Sequence, residues 1–247
     1  MEKYKDKTFS VMGDSISTFE GYIPKADGTN LNHRKRYPQE NLLTDVKETW
    51  WMRIIDRLGA RLGINESWAG STVGNVIDGN EGDQGEDAAM ASLTRIKNLG
   101  SNGTPELIMF YGGTNDLGRR LVPIGDTDDA NLYQLDLEKT KWETLLRAYA
   151  AAIMRMKHFY PTAEIAVIFP GYTYKAYSRE DVDLLNAKLE VVCKRLDVKF
   201  VDLRECGITP ENAPDYLPDK LHPNAEGMRL IADCIMKKLF NAEYGKV

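Results

Sequence analysis

The sequence predicts an α/β protein, a three-layer α/β/α sandwich built on a five-stranded parallel sheet. Three observations point to it. Five apolar runs of strand length recur along the 247 residues, amphipathic helical segments separate them, and the loops after the first four runs carry Gly or Pro among hydroxyl, amide or aromatic residues. Strands alternating with helices pair in parallel through right-handed crossovers. The loops at the C-terminal ends of such strands share one edge of the sheet, where open α/β folds bind their ligands.

The first strand is Thr8-Phe9-Ser10-Val11-Met12, and it ends abruptly in Gly13-Asp14-Ser15-Ile16-Ser17-Thr18. Residues 22–48 lack periodicity and carry Pro24, Gly28 and Pro38, which reads as a long loop. Thr49 is placed to cap a helix in which Trp51, Ile54, Ile55, Leu58 and Leu62 recur at helical spacing. A second strand over 62–68 runs into Ala69-Gly70-Ser71-Thr72, and a helix is predicted over 88–99 through Met90, Leu93, Ile96 and Leu99. Leu107–Tyr111 is continuously apolar, as suits a parallel strand covered on both faces, and it breaks at Gly112-Gly113-Thr114-Asn115-Asp116. An irregular segment over 117–136 precedes a helix over 137–159, which Pro161 prevents from continuing. Glu164–Phe169 is the fourth strand and leads to Pro170-Gly171-Tyr172-Thr173-Tyr174. Ser178 with Asp181 opens a helix carrying Val182, Leu185, Leu189, Val192 and Leu196. The fifth strand spans 198–203, a loop covers 204–221, and Pro223 at a first-turn position opens the last helix.

Length and composition bound the function. A chain of 27.9 kDa without a composition break is expected to form one domain over residues 1–247. A net charge of -5 argues against a general nucleic-acid binder, which needs clustered cations to neutralise phosphates. The exception is His33-Arg34-Lys35-Arg36, read as a solvated loop segment. Cys193, Cys206 and Cys234 read as buried free thiols of a reducing compartment. The charged start Met1-Glu2-Lys3-Tyr4-Lys5-Asp6-Lys7 has no apolar signal segment, so a cytoplasmic protein without membrane contact is expected.

The first strand end raises the question of chemistry. A serine hydroxyl is a poor nucleophile at neutral pH and needs a base, usually a histidine oriented by a third group. There are three histidines. His33 sits in the basic loop, and His158 stands beside Phe159 near a helix end, where a dipole-facing or partly buried role is expected. His222 lies in Pro218-Asp219-Lys220-Leu221-His222-Pro223, a short turn that can hold the Asp219 carboxylate against the imidazole Nδ1.

Gly13-Asp14-Ser15 after strand one, Gly70 after strand two, Gly113-x-Asn115-Asp116 after strand three and Asp219-x-x-His222-Pro223 near the C-terminus form an ordered set. In that order the chain resembles the SGNH, or GDSL-like, hydrolases over residues 9 to about 230. The resemblance implies a flavodoxin-like arrangement, Ser15 as nucleophile, His222 as general base and Asp219 as its orienting partner. It further implies three oxyanion donors: the backbone N–H groups of Ser15 and Gly70 and the side-chain amide of Asn115. Asp14 and Asp116 are read as structural, holding loops through backbone amides. The sequence departs from the family where Phe19-Glu20-Gly21-Tyr22 passes into the long insertion, and where Trp68 stands close to the second block.

Tyr172, Tyr174, Trp68, Trp50, Trp51 and Tyr37 are candidate walls of a substrate site, with core packing as the competing role of each. The expected activity is a serine esterase acting on short-acyl, chiefly acetyl, esters of a small molecule or carbohydrate. No cofactor and no metal are expected, since only one histidine lies in a credible site and the cysteines are scattered. Two alternatives stay open at this point. A hydroxyl-rich loop after strand one could hold the phosphate of a flavin, and a noncatalytic carbohydrate-binding protein could use the same fold.

Overall fold

A computed structural model describes residues 2–22, 43–74, 89–119, 122–171 and 178–241. Its strands are Thr8–Gly13 (β1), Arg61–Ser67 (β2), Leu107–Tyr111 (β3), Glu164–Phe169 (β4) and Lys199–Asp202 (β5). All pair in parallel, in the order β2-β1-β3-β4-β5. The chain therefore leaves β1 for one side of the sheet and returns to its other side at β3. The C-terminal ends of β1 and β3 flank this switch point, which is where a crevice for ligand opens in such sheets.

The described helices are Trp50–Leu58 (α1), Leu93–Asn98 (α2), Thr114–Arg119 (α3), Leu145–Phe159 (α4), Arg179–Arg195 (α5), Ala213–Tyr216 (α6) and Ala225–Phe240 (α7). Alternation along β3 decides which face meets which helix. Leu107, Met109 and Tyr111 join the core formed with α1 and α7, while Ile108 and Phe110 join the core formed with α2, α4 and α5. Side chains of a strand alternate between faces, so a strand apolar at every position must be covered on both.

Local chemistry sets the helix ends. Thr49 Oγ accepts from the Met52 N–H at 3.3 Å, and Gly59 closes α1 in the left-handed region at φ +61°. That turn ends the helix before Leu62, which belongs to β2. The helix predicted over 88–99 is shorter because the Ser92 hydroxyl accepts from the Arg95 N–H and caps α2 there. The helix predicted over 137–159 starts only at Leu145. Thr144 accepts from the Arg147 N–H, and Asp136 takes the Glu138 and Lys139 amides into a separate turn. Ser178 caps α5 through the Asp181 N–H at 3.1 Å, as the sequence suggests.

Two segments read as loop contain helix: α3 begins the stretch after β3, and α6 lies between β5 and α7. Pro223 does not open α7. Asn224 caps it by accepting from the Gly227 N–H at 2.9 Å, and Pro223 stands just outside the helix. Cys193, Cys206 and Cys234 are buried and unpaired, and burial pushes Cys193 and Cys234 up to about 12, which leaves their thiols protonated and inert. No described helix is long and apolar enough to cross a membrane.

Candidate active site

β1 hands the chain to a turn that only glycine can enter. A Cβ on Gly13 would lie 2.6 Å from Ser17 Oγ and 2.9 Å from Ser67 Oγ, closer than packed atoms approach. Asp14 then caps a 3-10 turn over Ser15–Ser17, its Oδ1 accepting from the Ile16 N–H at 2.9 Å. The Thr18 hydroxyl donates to the Ser15 carbonyl at 2.8 Å, the Asn65 amide donates to the Ser17 carbonyl at 2.8 Å, and the Trp50 indole N–H donates to Ser17 Oγ at 3.2 Å. Ser15 thus sits on a turn whose backbone is held from several directions.

Ser15 Oγ lies 2.9 Å from His222 Nε2, across 207 residues of sequence. His222 Nδ1 lies 2.5 Å from Asp219 Oδ2, and Asp219 Oδ1 accepts from the backbone N–H groups of Leu221 at 3.0 Å and His222 at 2.7 Å. One carboxylate therefore sets both the turn and the ring. Burial works to raise the Asp219 carboxyl, but the His222 ring and the two amides hold it below its ordinary value, so it is charged at neutral pH. The turn is tight enough that Lys220 adopts φ +72°, a left-handed conformation uncommon outside glycine. A hydroxyl, an imidazole and a carboxylate in this line can pass the serine proton to the ring and stabilise the resulting imidazolium.

The predicted oxyanion donors come from the ends of three adjacent strands. Gly70 follows β2 at φ +77°, a backbone region that glycine enters without strain. Asn115 opens α3 after β3, and its Nδ2 donates to the Ser71 carbonyl at 3.0 Å. That bond uses one amide hydrogen and fixes the plane of the group, leaving the second hydrogen for a ligand. Among the described residues the N–H groups of Ser15 and Gly70 donate to no protein acceptor. Asp116 holds the same loops together, its carboxylate accepting from the Val73 N–H at 3.0 and 2.9 Å.

Beneath these loops lies a group the sequence reading missed. Arg95 of α2 is fully buried. Its Nη1 donates to Ser71 Oγ at 2.9 Å, and its Nη2 donates to the Glu66 carbonyl at 2.6 Å and the Gly13 carbonyl at 3.2 Å. Its guanidinium stacks 4.8 Å from the centre of the Trp68 ring, and its Nε lies 3.9 Å from the buried Glu66 carboxylate. Burial lowers Arg95 to about 10, which keeps it charged at neutral pH. The available signal was its spacing: Arg95 sits four residues before Leu99, on the face that α2 must bury.

The aromatic candidates separate. Trp50 is wholly buried and supports the Ser17 turn from within the core, its ring 5.8 Å from that of Tyr111, so it cannot wall a substrate site. Trp51 is likewise core. Trp68 is half-buried at the end of β2, with Arg95 on its ring face. Tyr37, Tyr172 and Tyr174 lie outside the described residues, as does the basic run at 33–36. His158 is exposed at the end of α4 with its ring edge-on to Phe159, rather than partly buried, and takes no part in the site. Among the described residues no group of side chains could hold a metal ion.

Two buried carboxyls beside the reactive turn carry a consequence for stability. Burial pushes Asp14 up to about 7, with the charge of Asp116 adding to the shift and the Ile16 N–H and Arg95 opposing it; burial pushes Asp116 up to about 6. A carboxyl whose folded value exceeds its unfolded value takes up a proton on folding. Its contribution to stability is then present at low pH and is lost as pH rises from about 4 to about 7. Asp14→Asn keeps the acceptor for the Ile16 N–H and cannot ionise. The variant is expected to gain on the wild type by an amount of the order of a few kcal/mol between pH 5 and pH 8. Thermal denaturation of both proteins at the two pH values reads this directly, and a difference independent of pH would show that Asp14 is already ionised in the fold at pH 5.

The chain was compared with known proteins on this basis. A search of curated proteins returns no match. Among solved structures, a candidate GDSL-like lipase from Bacteroides uniformis is 28% identical with a TM-score of 0.67, covering 96% of this chain and 97% of its own. A candidate GDSL-like lipase from Bacteroides ovatus is 24% identical with a TM-score of 0.68, covering 96% and 99%. Est24, a carbohydrate acetylesterase from Sinorhizobium meliloti, shares the fold at 16% identity and a TM-score of 0.63, covering 94% and 98%. The model of the GDSL-like lipase/acylhydrolase family matches residues 7–239, a span that includes all four loops of the site. With its sheet order, its strand-end loops and this match in agreement, the chain belongs to the GDSL-like lipase/acylhydrolase family and is an ester hydrolase.

Proposed function

We propose that the protein is a serine esterase that removes short acyl groups, chiefly acetyl, from a small-molecule or carbohydrate ester. The observation that carries the reading is the line from Ser15 Oγ through His222 to Asp219, at 2.9 Å and 2.5 Å. On this reading His222 Nε2 takes the Ser15 proton as Oγ attacks the ester carbonyl. The carbonyl oxygen gains negative charge, which the N–H groups of Ser15 and Gly70 and the Asn115 amide stabilise. Collapse of the tetrahedral intermediate breaks the bond to the alcohol, and His222 returns its proton to that oxygen. Water, deprotonated by His222, then attacks the acyl-enzyme and releases the acid, and the proton passes back to Ser15. Asp219 keeps the ring in the tautomer that presents Nε2 as acceptor and balances the imidazolium charge.

The fold shared with Est24 agrees with an acetyl ester on a carbohydrate. One observation favours a longer acyl chain instead: an open groove of about 610 Å³ runs from Asp116 past Leu117, Val122, Ile124 and Leu145 to Leu184.

A series of p-nitrophenyl esters from acetate to octanoate separates the two, with acetylated xylan and acetylated sialic acid run beside it. Turnover is expected to fall with chain length. A rise toward octanoate would replace the short-acyl reading with the groove-bound one.

A further inference from the structure

Ser71 and Arg95 stand where the three proposed oxyanion donors meet, and neither has a role in the reaction as described so far. Ser71 follows Gly70 directly, and its carbonyl holds the Asn115 amide at 3.0 Å. Its hydroxyl donates to the Gly13 carbonyl at 3.4 Å and accepts from Arg95 Nη1 at 2.9 Å. Arg95 Nη2 reaches that same Gly13 carbonyl and the Glu66 carbonyl. One planar guanidinium thus joins the end of β1, two residues before Ser15, to the end of β2 and to the loop that carries Gly70. Through Ser71 it reaches Asn115 as well. A fork of fixed donors suits this task, whereas an ammonium would offer a single point charge.

Arg95 is wholly shielded, so it cannot touch a substrate. Its bonds to Ser71, Gly13 and Glu66 lie outside the Ser15–His222–Asp219 line. We propose that Arg95, acting through Ser71, is the positioning residue that sets the mutual geometry of the three oxyanion donors. The inference rests on the esterase reading and adds to it the group that keeps the donors in register. Oxyanion stabilisation depends on donors that need no reorganisation as charge develops, and a displacement of about 1 Å can cost about 100-fold in rate. Loosening the fork therefore acts on the transition state and leaves the ground-state complex and the proton relay alone.

The test compares the wild type with Arg95→Met, Arg95→Ala and Ser71→Ala on p-nitrophenyl acetate across pH. The Arg95 variants are expected to lose about 10- to 100-fold in kcat, with KM within about two-fold and the acid limb of the pH profile in place. Added guanidinium ion is expected to restore part of the kcat of Arg95→Ala. Ser71→Ala is expected to lose less, and the double variant Ser71→Ala/Arg95→Met to lose less than the product of the single effects, because both act through one linkage. An unchanged kcat overturns the inference. So does a kcat that falls together with a raised KM and a displaced acid limb, the pattern of a generally loosened fold. Should the Arg95 variants fail to fold, Ser71→Ala decides by the same criteria. Absence of ester turnover in the wild type overturns the esterase reading and this inference with it, whereas full activity in the variants overturns this inference alone.

Discussion

Ser15→Ala is expected to lower kcat/KM on p-nitrophenyl acetate by about 10⁴-fold or more, with a melting temperature close to that of the wild type. The magnitude follows from the geometry. The Ser15 hydroxyl lies 2.9 Å from His222 Nε2, so the substitution removes the proposed nucleophile and its bond to the base together. The stability expectation follows from the same environment. The backbone bonds that shape the turn run from Ile16 to Asp14, from Thr18 to the Ser15 carbonyl and from Asn65 to the Ser17 carbonyl, and none uses the Ser15 hydroxyl. Steady-state kinetics together with thermal denaturation check both halves. Retention of turnover within ten-fold would mean that the ester bond is broken by another group.

Asn115→Ala is expected to produce the second largest loss, about 10²- to 10³-fold in kcat, or about 3 to 4 kcal/mol of transition-state stabilisation. KM is expected to change little, since the amide is strongest against an oxygen that carries charge only as the reaction proceeds. The Ser71 carbonyl already engages one hydrogen of the amide, so the group is held in place before substrate arrives. A matching loss of affinity for a trifluoromethyl ketone, whose adduct carries an oxyanion, would locate the effect. Equal rises in KM and falls in kcat would instead place Asn115 in ground-state binding.

The sheet was legible because parallel strands buried on both faces announce themselves as unbroken apolar runs. Leu107–Tyr111 and Glu164–Phe169 occur in the structure with the same limits as in the sequence reading. Helix starts were less legible. Ser92 and Thr144 compete for chain that the periodicity alone assigns to longer helices, and Pro223 was read as a first-turn residue where Asn224 makes the cap. The proposed triad could be read because each member sits in a short motif at a strand or helix boundary. Arg95 could not be read that way: it joins the Gly13 and Glu66 carbonyls and the Ser71 hydroxyl, groups from separate strand ends that no short sequence motif brings together. Trp50 shows the converse, since an aromatic beside a reactive loop in sequence proved to be its buried support.

The pairing of Ser15 with His222 joins residues 207 positions apart, the first strand to the segment that enters α7. In kinetic terms the reactive centre is among the most costly contacts to close, because ordering nearly the whole chain must precede it. The last helix is fastened to α1 by the Arg57–Asp233 ion pair at 2.6 Å and continues directly from the turn that carries Asp219 and His222. Fraying at that end would withdraw His222 from Ser15 while β1, β3 and β4 remained paired. On the proposed mechanism, activity is therefore lost by partial opening at the α7 end before the sheet itself unfolds.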